Sequence, residues 1–291
     1  SAKASINTSM ISSSQVFMCE QEADIFWTPY LGREVEFYEI WSLVSGVWNL
    51  EEISNDTTVR IPVVANQNYS VCINAVFLDG SNAFSSPTLF NVPTAGIPAF
   101  HYFKLATVDN GNIELYHYID ESVGITEIVF QRRNMNGAFE EIGRSDATTN
   151  EVFFLDEDAN PEHRAWSYRT KYIDSCGSEG TFANENKTIL LEGSTNEYEM
   201  INTIEWSPYE GFDGGILEYK LYRSISGVYD PIPIAILNPS QLNYTDDLSG
   251  VYSDGKICYR IEAVEAFNTY NFSEVSSSNE LCILFSTKIF I

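Results

Sequence analysis

The phrase "IFWTPY" at residues 25–30 returns as "IEWSPY" at 204–209. "EFYEIWS" (36–42) follows the first and "EYKLYRS" (218–224) follows the second, and "EIVFQRR" (127–133) stands at the same place in the middle of the chain. Late in each unit comes an alternating stretch: "YSVCINAV" (69–76), "WSYRTKYID" (166–174) and "ICYRIEAV" (257–264). Each leads through a Ser/Asn-rich segment into one more strand-like run. A repeat of about 97 residues is too long for a solenoid and reads as a tandem of independent small domains. The expected units are 1–95, 96–192 and 193–287, with "NVPTAGIPAF" (91–100) and "LLEGSTNEY" (190–198) as Pro- or Gly-containing linkers of limited interdomain contact.

Within each unit helical periodicity is almost absent. Apolar and polar residues alternate in runs of strand length, such as "TVRIPVV" and "NIELYHYI", and turn signals such as "NMNG" and "FDGG" separate them. Aromatics make up 14% of the chain, a richness that suits half-buried pleated surfaces. The expected fold is all-β: three antiparallel sandwiches in a row.

Charge and motifs narrow the function. Sixteen Lys and Arg stand against 41 Asp and Glu, a net charge of -25 that repels phosphate backbones and excludes nucleic acid as a partner. No run of 18 apolar residues offers a membrane-spanning helix, so direct membrane insertion is not expected. "SAKASINTSM" lacks the apolar core of a signal peptide. No HExxH, GxSxG, P-loop or GxGxxG occurs, and the three histidines (His101, His117, His163) are scattered over the middle unit. The chain reads as non-catalytic and without a cofactor. Asp156, Glu157 and Asp158, with Asp246 and Asp247, form the only acidic clusters that suggest calcium. Neither has EF-hand spacing, and acidic residues that merely solvate a turn are the commoner case.

The order of these elements resembles the fibronectin type III domain, an immunoglobulin-like two-sheet sandwich. A Trp sits on the second strand (Trp27, Trp206), a Tyr on the third (Tyr38, Tyr219) and a Tyr on the sixth (Tyr69, Tyr168, Tyr259). The resemblance implies that these residues are core, with the Trp packed under the sixth-strand aromatic. The middle unit has no such Trp, which leaves either Leu115 or Tyr116 as the inward residue.

A narrower resemblance covers residues 96–291. "EWSPYEGFDGGILEYKLYRSISGVYDPI", "YTDDLSGVYSDGKICYRIEAVE" and "FSEVSSSNELC", with "AWSYRTKYIDSCGSEG" and "NKTILLE" upstream, are similar to the last modules of gliding-motility-associated surface proteins of Bacteroidota. That family implies export by type IX secretion, and "KIFI" (288–291) would then open a C-terminal sorting domain. It implies a Cys258–Cys282 disulfide, since Cys recurs at both positions. Cys19 and Cys72 are a further candidate pair, with Cys176 left over. Thr57, in "NDTT", resembles an O-glycosylation acceptor of that group. The expected role is a secreted cell-surface stalk or adhesin-type spacer linked to gliding motility. Its partners would be proteins at the outer membrane: type IX secretion or gliding components, or a surface anchor. One alternative is a stably bound subunit of the secretion or gliding machinery, with Trp41, Trp48 and Trp166 as either contacts or core. Another is an accessory module of a secreted polysaccharide-degrading enzyme.

Overall fold

A computed structural model describes residues 10–120, 124–225, 227–251 and 255–285. The expected segment 288–291 lies outside them. The chain divides into two compact units, Ser1–Gly96 and Ile97–Ile291, with the boundary inside "NVPTAGIPAF".

The first unit is one sandwich. Its strands are β1 (Ser12–Phe17), β2 (Glu22–Trp27), β3 (Val35–Val44), β4 (Val47–Ser54), β5 (Thr58–Pro62), β6 (Gln67–Phe77), β7 (Asn82–Phe84) and β8 (Thr88–Val92). One sheet has the order β1-β2-β5; the other is β4-β3-β6-β7, with β8 also on β6. The alternation explains the layering. Tyr38 and Ile40 of β3, with Tyr69, Val71, Ile73 and Ala75 of β6, point inward, and the residues between them point out. Trp27 packs edge-on against Tyr38, ring centres 5.4 Å apart. The Tyr38 and Tyr69 hydroxyls accept the backbone N–H groups of Tyr30 (3.1 Å) and Val64 (2.9 Å), so neither ring buries an unpaired hydroxyl.

The second unit holds two sandwiches. One contains β9 (His101–Asp109), β10 (Asn112–Ile119), β11 (Ile125–Arg133), β12 (Phe139–Asp146), β13 (Glu151–Asp156), β14 (Ser167–Asp174), β15 (Glu179–Phe182) and β16 (Asn186–Lys187). The other contains β17 (Leu191–Asn196), β18 (Ile201–Trp206), β19 (Ile216–Ile225), β20 (Val228–Tyr229), β21 (Ala235–Leu237), β22 (Asn243–Asp247), β23 (Gly255–Glu265), β24 (Val275–Ser277) and β25 (Leu281–Phe285). The three-plus-four pattern recurs: β9-β10-β13 faces β12-β11-β14-β15, and β17-β18-β22 faces β20-β19-β23-β24, with β25 on β23. Trp206 packs edge-on against Tyr219 at 5.7 Å, as Trp27 does against Tyr38. In the middle sandwich Leu115 is the inward residue and Tyr116 turns away. Pairing register puts the buried His117 where the others carry their Trp, two residues past Leu115, Ile25 and Ile204 in turn.

The expected linker 190–198 is a strand. Leu191 is buried, and its N–H and C=O are both held by the side chain of Asn279, at 2.7 and 3.0 Å. Strand β17 begins at Leu191, and Gly193 gives the Thr203 carbonyl and the Leu281 side chain room that a Cβ would take.

Limited contact between the second and third sandwiches is also not what the structure holds. The Ser276 hydroxyl donates to the Ala106 carbonyl (2.8 Å), and the N–H of Ser277 donates to the Thr107 hydroxyl (2.9 Å). The Tyr102 hydroxyl accepts the N–H of Asp213 (2.9 Å) and donates to the Gly211 carbonyl (3.3 Å). Asn184 donates to both the Phe103 and Gly211 carbonyls at 2.9 Å, and Lys104 pairs with Glu274 at 2.9 Å. Phe100 stacks on Tyr270 at 3.8 Å, and Tyr102 and Tyr118 close on Phe272. Leu105 of β9 is buried in the core of the third sandwich. Polar groups desolvated along such a seam favour one geometry, because sliding would strand them.

Candidate functional site

No catalytic constellation assembles among the described residues. His101 and His117 do meet, ring centres 5.7 Å apart, and His117 Nδ1 shares a 2.9 Å hydrogen bond with the Thr170 hydroxyl. Burial, aided by the charge His101 would carry, drives His117 down to about 3, so it is neutral at ordinary pH. It lies fully buried inside the sandwich. His163 is in an exposed turn.

The acidic clusters do not gather into a metal site. Asp156 turns inward, where Arg132 holds both its oxygens at 2.7 Å and the Tyr168 hydroxyl donates to one at 2.8 Å. The third sandwich repeats the device: Arg223 holds Asp246 at 2.8 and 2.9 Å, and Tyr259 donates at 2.7 Å. Both carboxylates are thus satisfied inside the fold, away from Glu157 and Asp158 in the exposed bend after β13 and from Asp247 at the exposed end of β22. Sequence reasoning missed these triads because Arg and Asp are far apart in the chain. The signal was the same Arg, Asp and Tyr at matched places in two repeats. Cys258, Glu280 and Cys282 are the one close group of metal-ligand type among the described residues, and its sulfurs are bonded to each other.

Cys258 and Cys282 face one another across β23 and β25 and form a disulfide. The Cys19–Cys72 pairing is not formed. Cys72 keeps a free thiol on the outer side of β6, while Cys19 lies in the turn joining β1 and β2 of the opposite sheet. Cys176 sits in the turn after β14, its N–H bonded to Asp174 at 2.8 Å. Thr57 is half-buried in the turn between β4 and β5, its carbonyl accepting the N–H of Trp27 at 3.0 Å. Trp166 is half-buried between the guanidinium groups of Arg132 and Arg164, at 4.8 and 4.4 Å.

One surface departs from the rest. On the outer face of β4-β3-β6-β7, directly paired residues form three rows: Leu50–Trp41–Cys72, Trp48–Leu43–Ser70, and Ile53–Glu39–Asn74–Phe84. Trp48 is 49%, Leu50 44% and Phe84 62% exposed. Trp41, Trp48, Cys72 and Phe84 line a hollow of about 390 Å³. Glu39 accepts from the Trp41 indole N–H and the Asn74 amide, both at 2.9 Å, so the indole offers its ring rather than its donor.

Strand order and pairing define the class: a tandem of fibronectin type III-like sandwiches, with strands and no helix among the described residues. Among solved structures, the chain is similar to the chicken CNTN1 FN1-FN3 domains at 13% identity, over 96% of this chain and 97% of that one, with a TM-score of 0.29. A likeness at that score carries no argument of its own. No family model matches the chain, and no curated protein matches it.

Proposed function

We propose that this chain is a non-catalytic segment of an exported cell-surface protein, a stalk or adhesin-type spacer delivered by type IX secretion and linked to gliding motility. The single observation behind the spacer role is the bonded seam between the second and third sandwiches, which joins two modules as a spacer's segments would be joined. The export route rests on the sequence phrases of residues 96–291. Isolation of the protein from its native cell envelope, with mass spectrometry of what accompanies it, tests the reading. Recovery alone or with a small surface anchor supports it. Recovery in fixed stoichiometry with outer-membrane secretion or motility proteins replaces it with the second reading, a bound subunit of that machinery.

A further inference from the structure

We infer that the outer face of β4-β3-β6-β7 is a docking surface for a second copy of this chain, sheet against sheet. The argument starts from comparison within the molecule. Register identifies the matching positions in the other two sandwiches. Where the first pairs Trp41 with Cys72, the second pairs Gln131 with Arg169 and the third pairs Tyr222 with Arg260. Where the first pairs Glu39 with Asn74, the others pair Val129 with Lys171 and Lys220 with Glu262. The fold therefore carries charge on this face twice without difficulty. The aromatic and aliphatic side chains of the first sandwich are not demanded by its architecture.

The occupant follows from chemistry. The hollow is lined by two indoles, a phenyl ring and a thiol, and the Trp41 N–H is already engaged by Glu39. A sugar needs hydrogen-bonding groups at such a site, and the lining offers none. The rows contain no Lys or Arg, and their one carboxylate is held by two internal donors. A basic partner would find a single carboxylate there, Glu39, whose Oε2 already accepts two internal hydrogen bonds. A copy of the same face covers apolar rows with apolar rows, and two sheets of equal twist pack aligned at about −30°. The exposed apolar side chains of these rows amount to on the order of 500 Å², beyond scattered surface hydrophobics and most of the roughly 800 Å² per partner of a standard interface. A two-fold axis near the Trp41–Cys72 row brings the two Cys72 thiols close to one another.

The test is sedimentation equilibrium of the 291-residue chain over a range of protein and salt concentrations, with mild thiol oxidation in parallel. A reversible dimer is expected. It tightens as salt screens the mutual repulsion of two chains that each carry -25. Leu50→Lys or Phe84→Lys weakens it by on the order of tenfold or more with the monomer's circular dichroism unchanged. Oxidation yields a covalent dimer that Cys72→Ser abolishes. A monomer under every condition, a dimer indifferent to both lysine variants, or a dimer that salt dissolves would overturn the inference. So would a monomer that binds neutral polysaccharide or another protein through this face in a Leu50→Lys-sensitive way. None of these results depends on the export route.

Discussion

The Tyr209 hydroxyl, carried by the third sandwich, accepts the backbone N–H of Ala106 in the second at 3.2 Å, and both residues are buried. Tyr209→Phe keeps the ring and leaves that N–H without an acceptor. Unfolding of the second unit should lose roughly 1–3 kcal/mol, the usual cost of an orphaned buried donor. Denaturant titration checks this through a lower midpoint at unchanged slope.

Gly211 stands opposite Asn186 with φ +129°, a conformation that L side chains rarely adopt, and a Cβ there would overlap the Asn186 side chain. Gly211→Ala should therefore open the seam without disturbing either core. Calorimetry of the variant is expected to show the second and third sandwiches unfolding as separate transitions where the parent shows one. A single unshifted transition would mean that the seam does not couple them.

His117 supplies a pH dependence. Its ordinary value of 6.5 falls to about 3 in the folded chain, so the unfolded state takes up a proton that the folded state refuses. Stability is complete above 6.5 and declines as the pH drops through the window from 6.5 to about 3, by up to about 1.4 kcal/mol per pH unit. His117→Gln cannot titrate and should lose this slope in the upper part of the window, before the carboxylates contribute. Urea midpoints of both proteins at a series of pH values make the comparison.

The Cys258–Cys282 bond closes a loop with a sequence separation of 24. Chain entropy assigns such a closure roughly 3 kcal/mol. Reduction, or Cys282→Ser, should lower the unfolding transition of the second unit by that amount and leave the first unit's transition in place. Two-transition melts with and without reductant give the answer.

Asp156→Ala removes the carboxylate that both Arg132 and Tyr168 contact, leaving a partly buried guanidinium without its anion. The expected loss is about 3–5 kcal/mol. Added calcium should not raise the melting temperature of the parent chain, because the carboxylate oxygens are already occupied. A calcium-dependent rise would reinstate the acidic turn as a site.

The fold was legible because alternation is a local signal that all three sandwiches carry, and the "IFWTPY" phrase of the first returns in the third. The buried Trp and Tyr residues follow from the same pattern. The seam was not legible: several of its hydrogen bonds join residues more than a hundred positions apart, such as Tyr102 with Asp213 and Ala106 with Ser276, and they involve backbone groups. Residues 190–198 read as a linker because Gly193, Ser194 and Asn196 give that segment a linker's composition. The place of His117 was hidden because a small buried imidazole replaces an indole with no change in the alternation. The apolar face was hidden for the opposite reason, since "EFYEIWS" is apolar on both sides and nothing in the run distinguishes inward Tyr38 from outward Trp41.

The covalent rung between β23 and β25 bears on how the molecule would yield to tension. A terminal strand hydrogen-bonded along one edge peels like a zipper, one pair after another, each resisting alone. Cys282 is the second residue of β25, so a pull applied past Phe285 can strip only Ile283–Phe285. Beyond that the load crosses to β23, an eleven-residue strand flanked by β19 on its other side. Detachment then requires the interior of the sheet to shear, with many hydrogen bonds loaded at once.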